Sequence, residues 1–223
     1  MKENILYLDI ETLPPQDRQP DPDDVTPPAN YKNPETIRAY QESKAEEVYR
    51  KLATNPLDAQ VLVIGVAYGD DKAIGLCDTD EKALFDKLEE YLATLQFNIE
   101  STKDLIKKSP DSWTIVGHNV AQFDLPILML RAKKYGGTLT NQLLRDLTPF
   151  DHRIADTMRM AMPTMKGSYV SMDDLCGFFG LEGKGDMDGS TVYDYFKEGK
   201  IDDIIKYCIK DVETTRKLYK ILL

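Results

Sequence analysis

The segment Ile5-Leu6-Tyr7-Leu8-Asp9-Ile10-Glu11-Thr12 places two carboxylates at the end of an unbroken apolar run. Four consecutive large apolar residues read as a strand buried on both faces. A carboxylate following such a run is costly unless something pairs with it. Side chains at i and i+2 of a strand share a face, so Asp9 and Glu11 point together. No Lys or Arg lies near enough in sequence to neutralise them, and a bound cation answers the need. Oxygen-only ligands favour a hard divalent ion, Mg²⁺ or Mn²⁺, over zinc. An Asp-x-Glu is also common at solvated strand edges and turns, so the pair needs support from elsewhere in the chain.

Two further segments supply it. Gly117-His118-Asn119-Val120-Ala121-Gln122-Phe123-Asp124 follows the short apolar run Trp113 to Val116 and precedes a helical pattern from Leu125. Pro126 fits a first helical turn, where no amide hydrogen is needed, and Asp124 therefore lies at a helix start. An N-terminal acid is the plain alternative for Asp124. Tyr207-Cys208-Ile209-Lys210-Asp211 lies in a helical pattern near the C-terminus. Positions i and i+4 share a helix face, so Tyr207 and Asp211 meet on one side. A surface stripe is the plain alternative there.

In order, the chain carries Asp-x-Glu, Asn-x-x-x-Phe-Asp and Tyr-x-x-x-Asp. It resembles the DEDD superfamily of 3′→5′ exonucleases, in the subclass with Tyr four residues before the last Asp. That subclass includes the proofreading domains of family B DNA polymerases and the ribonuclease D group. The other subclass has His five residues before that Asp, where this chain has Lys206. The run Leu175, Leu181, Lys184, Val192-Tyr193-Asp194-Tyr195, Ile204, Tyr207, Asp211 extends the resemblance to stand-alone exonucleases related to the family B proofreading domain.

The resemblance implies an α/β fold of ribonuclease H-like type, with a mixed five-stranded sheet flanked by helices. It implies hydrolysis of the last phosphodiester at a 3′ end, releasing a nucleoside monophosphate, with two divalent metal ions, Mg²⁺ or Mn²⁺. Asp9, Glu11 and Asp211 would hold one ion, and Asp9 with Asp124 the other. Tyr207 would orient the attacking water, since a phenol with a pKa near 10 is a poor general base at neutral pH. Thr12 and Leu13 would meet the terminal nucleotide through backbone amides and an apolar wedge. Asn119 and Phe123 would hold the next sugar or stack a base, and Lys184, in a Gly-flanked loop, would reach the scissile phosphate. Core packing for Phe123 and a solvated lysine for Lys184 are equal competitors. Lys166 is a weaker alternative to Lys184, and His118, Asp156 and Asp173 are read as structural.

The 223 residues suffice for one α/β domain over residues 1–223, with nothing left over for a polymerase. The net charge of −10 argues against a broad clamp on nucleic acid but not against a small acidic cleft filled by cations. The expected partner is the 3′ end of a single-stranded nucleic acid, DNA favoured over RNA, with a replication or repair protein as a possible companion. Cys77, Cys176 and Cys208 are widely spaced and read as buried thiols of a reducing compartment. A first strand starting near residue 4 leaves no room for a cleaved signal, and no apolar stretch reaches membrane-spanning length. A cytoplasmic protein without membrane contact is expected. A catalytically silent binding module is the rival from another class.

Strands are expected at 4–10, 60–68, 72–77, 113–117 and 153–156, with a hairpin turn at Gly69-Asp70-Asp71. Helices are expected at 35–54, 80–97, 124–135, 171–179, 190–197 and 202–222, the fourth opened by the capping box Ser171 to Asp174. Residues 98–111 are ambiguous. The Pro/Asp-rich stretch 14–34 excludes a regular helix and reads as a solvated loop, with a lid or docking segment as its alternative.

Overall fold

A computed structural model describes residues 4–100, 112–163, 169–183, 185 and 187–223. Lys166 and Lys184 lie outside the described residues, as does 101–111. Five strands form one mixed sheet: β1 (Ile5–Leu13), β2 (Gln60–Tyr68), β3 (Ile74–Cys77), β4 (Thr114–Gly117) and β5 (Ile154–Asp156), in the order β3-β2-β1-β4-β5. β1 is central, antiparallel to β2 and parallel to β4. The expected mixed five-stranded α/β sheet is what forms.

The helices are α1 (Pro34–Lys51), α2 (Glu81–Glu100), α3 (Asp124–Tyr135), α4 (Thr138–Leu143), α5 (Thr157–Ala161), α6 (Met172–Phe179), α7 (Val192–Lys197) and α8 (Ile201–Leu222). Alternation along β1 divides its side chains between two cores. Leu6, Leu8 and Ile10 pack with Leu84, Phe85 and Leu88 of α2 and with Leu125, Ile127 and Leu128 of α3. On the opposite face, Tyr7 packs with Val212 and Tyr219 of α8, and Leu13 packs with Ile204, Tyr207 and Cys208. Asp9 and Glu11 fall between Tyr7 and Leu13 on that second face, under α8.

The buried stripe of α8 includes Ile204, Tyr207, Cys208, Asp211, Val212, Thr215, Leu218 and Tyr219, the spacing of a core-facing helix. Asp211 therefore occupies a core position on this helix.

Three local features differ from expectation. β1 runs to Leu13 rather than ending at 10, because Thr12 and Leu13 pair with Val61 and Gln60 beyond an irregularity between Glu11 and Thr12. α4 and α5 are additional short helices. The N-terminus of α4 is held by Glu89 of α2, whose carboxylate accepts from Leu139 N, Thr140 N and Thr140 Oγ1 at 2.8 to 2.9 Å.

The 14–34 stretch contains one turn of 3₁₀ helix, Pro22–Asp24, and is tied down rather than wholly solvated. Val25 is buried and its carbonyl accepts from Gln41 Nε2, while Pro15 O accepts from Tyr49 Oη. The capping box of α6 is present as expected.

Candidate active site

Asp9 stands opposite Gly65 in the β1–β2 ladder, and Glu11 opposite Val63. Asp9 is half-buried and Glu11 is 6% exposed. A carboxylate at that depth needs compensation. Asp124 comes from the start of α3, on the side of the other core. Its Oδ1 accepts a hydrogen bond from Ile10 N at 2.9 Å, so it grips the backbone between the two β1 acids. Asp124 is 2% exposed, and its pKa is raised well above the usual carboxylate range by burial first and by the charge of Asp9 second. Asp9 and Asp124 are thus close enough to repel.

α8 brings Tyr207, Cys208 and Asp211, at 6%, 0% and 2% exposure. The Cys208 thiol donates to Asp9 Oδ2 at 3.4 Å and approaches Asp9 O at 3.6 Å. Burial pushes this thiol up, and Asp9, Glu11 and Asp211 push it further, so it stays protonated. The same three charges acting on one sulfur locate Glu11, Asp9 and Asp211 around it. Strand β1 and helices α3 and α8 therefore bring Asp124 near Asp9, and Asp211 near the sulfur that Asp9 and Glu11 surround.

Ligand atoms of Asp9, Glu11 and Cys208 lie within 4.8 Å of one another, a separation that fits a metal ion. A neutral thiol is a weak donor to a hard ion, so the oxygen-rich set suits Mg²⁺ or Mn²⁺ better than a thiophilic metal. Mutual repulsion among buried carboxylates gives such a cation its driving force. Arg216, the buried cation of α8, faces away: it donates to Gly69 O and Asp71 O, pairs with Glu213, and stacks over Tyr7.

The expected substrate contacts divide. Thr12 Oγ1 donates to Ala53 O at 2.7 Å, which ties its side chain to the segment after α1. Leu13 is 0% exposed and belongs to the core with Met187, Val192 and Tyr207. The apolar wedge expected of Leu13 is therefore not exposed, because the extension of β1 turns this side chain inward.

Asn119 has a left-handed backbone, φ 59°, fixed by its N–H donating to Asp156 Oδ1 at 2.9 Å. Its side-chain Oδ1 is buried with no hydrogen-bond partner. Phe123 is half-buried against the main core, next to Asp124.

His118 and Asp156 have the structural surroundings expected of them. His118 bonds Thr157 Oγ1 and Val170 O, both at 3.0 Å. Asp156 accepts from Asn119 N, Ala121 N and Met158 N, holding the turn before Asp124 and the start of α5. The sequence reads Cys208 as a buried thiol of a reducing compartment and gives no place for it beside Asp9 and Glu11. The available signal was its i, i+3 relation to Asp211, which puts both on one helix face.

Residues 76–221 match the family described as a predicted 3′-5′ exonuclease related to the exonuclease domain of PolB, a stretch that includes Asp124, Tyr207 and Asp211. The family B DNA polymerase from the hyperthermophilic archaeon Pyrobaculum calidifontis has a similar structure, with a TM-score of 0.55 at 17% sequence identity. The likeness covers 99% of this chain and 24% of the polymerase, so the chain spans about a quarter of that protein's length. At this identity the likeness establishes the ribonuclease H-like fold. No curated protein matches the chain. Among the described residues no helix is long and apolar enough to cross a membrane. With most of its length matched, the chain belongs to the family of predicted 3′-5′ exonucleases related to the exonuclease domain of PolB.

Proposed function

We propose that the protein is a two-metal-dependent 3′→5′ exonuclease of the tyrosine subclass that removes nucleoside monophosphates from single-stranded DNA ends. The observation that carries this reading is the closeness of Asp9 and Glu11 on β1, with Asp124 of α3 bonded to Ile10 N between them, within a family of predicted exonucleases. Asp9, Glu11 and Asp211 hold one divalent ion, and Asp9 with Asp124 holds the second. Bound there, the pair supplies the positive charge that activates water and stabilises the departing 3′ oxygen.

The remaining chemistry belongs to the chain's own residues. Tyr207 is buried on the helix turn that carries Asp211, and its phenol orients the attacking water rather than removing a proton. Asn119 and Phe123, from the segment leading to Asp124, hold the next sugar or stack a base. DNA is favoured because the family is related to a DNA polymerase's exonuclease domain. The reading extends to Lys184 as a phosphate contact.

The test is incubation with 5′-labelled single-stranded DNA and RNA of one sequence, with Mg²⁺, Mn²⁺ or EDTA, beside Asp9→Ala. A metal-dependent ladder shortening from the 3′ end, faster on DNA and absent in the variant, supports the proposal. Faster RNA shortening reverses the substrate preference. Absence of cleavage with metal bound points to a silent binding module.

A further inference from the structure

We propose that Cys208 is a positioning residue: its thiol holds the Asp9 carboxylate in the orientation that receives metal and seats the turn of α8 carrying Tyr207 and Asp211 against β1. This rests on the reading of Asp9 as a metal ligand. Three observations meet at the sulfur. The thiol donates to Asp9 Oδ2 at 3.4 Å and lies 3.6 Å from Asp9 O, so it addresses both the side chain and the backbone of one residue. The space it occupies is left open by Gly65, the cross-strand partner of Asp9: a Cβ at Gly65 would stand 2.7 Å from Cys208 Sγ. Finally, Cys208 lies between Tyr207 and Asp211 on the buried stripe of α8, so a contact at the sulfur sets the depth of both neighbours.

The donor type matters. A Lys or Arg at this position would orient Asp9 but would also neutralise it, and would compete with an incoming cation. A thiol carries no positive charge, so it fixes the carboxylate without competing with an incoming cation. Groups that hold metal ligands in place without touching the metal commonly tune affinity by 10–100-fold.

The experiment is calorimetric titration of Mn²⁺ into the full chain, comparing the native protein with Cys208→Ala and Cys208→Ser. Thermal midpoints and the Mn²⁺ dependence of single-stranded DNA cleavage are measured alongside. The alanine variant should raise the Mn²⁺ dissociation constant roughly tenfold, and the serine variant, which keeps an O–H donor, should recover most of it. Unchanged Mn²⁺ affinity in the alanine variant overturns the proposal. So does equal weakening in both variants with equal loss of thermal stability, the signature of packing alone. A native protein that binds no Mn²⁺ overturns the proposal together with the metal reading. If Mn²⁺ affinity follows the expected order but no DNA is cleaved, the nuclease reading fails and the role of Cys208 stands.

Discussion

Asp124 Oδ1 accepts a hydrogen bond from Ile10 N at 2.9 Å, across 114 residues of chain. That contact joins the first residue of α3 to the backbone midway between Asp9 and Glu11. It also holds Asp124 against the charge of Asp9, a repulsion that a bound cation would relieve.

Cation binding should therefore stabilise the fold. Mn²⁺ at a hundred times its dissociation constant should add about 2.7 kcal/mol to the unfolding free energy. Urea unfolding with Mn²⁺ and with EDTA measures the difference. Asp9→Asn should abolish most of it, and a gain of full size in that variant would place the ion elsewhere.

Tyr207→Phe tests the phenol alone. The ring keeps its packing with Leu13, Met187 and Val192. Turnover should fall by roughly 10²-fold while Mn²⁺ affinity stays close to native, because only the hydroxyl that orients water is lost. Single-turnover cleavage and metal titration separate the two quantities. A Phe variant with lost metal affinity contradicts the assigned role.

Gly65→Ala tests the seating of α8. The new methyl group would meet Cys208 Sγ at 2.7 Å and Val212 Cγ2 at 2.8 Å, inside a packed interface. Overpacking of this kind costs about 1–3 kcal/mol. We expect that loss in urea unfolding, together with weaker Mn²⁺ binding as α8 moves away from β1. Native stability would mean that the helix yields freely.

Asp151→Asn examines the pH dependence of stability at the edge of the sheet. Hydrogen bonding to Arg153, with Nε at 3.0 Å and Nη2 at 2.9 Å, is the largest influence holding the Asp151 carboxyl down to about 2. The folded pKa is depressed, so this stabilisation is present above the unfolded value near 3.9 and disappears as pH falls through about 2. The variant should lose on the order of 1–2 kcal/mol at pH 7 and match the native protein below pH 2. Urea midpoints across that range decide it, and an equal deficit at every pH would assign the effect to packing.

The candidate site residues were legible because their signals are local. Asp9 and Glu11 stand out against the apolar run before them. Asp124 follows from the helix start marked by Pro126, and Tyr207 with Asp211 follows from helical spacing. The capping box at Ser171 announced α6 for the same reason: its partners lie within one turn.

Other features depend on partners far away in sequence. α4 is six residues long and its N-terminus is held by Glu89, about fifty residues earlier. Leu13 changes from an expected substrate wedge to a core residue because Gln60 and Val61 extend the ladder past Glu11. Cys208 is an ordinary buried thiol until Gly65 makes room for its sulfur beside Asp9.

The sequence by itself determined which side chains carry charge and which face of each strand or helix they occupy, since periodicity and end signals act over a few residues. Only the tertiary structure decided which of those faces meet. The order β3-β2-β1-β4-β5 puts the central strand beneath α8 and beside the start of α3. Long-range hydrogen bonds and packing then set how close Asp124 comes to Asp9 and how close Cys208 comes to the two β1 acids.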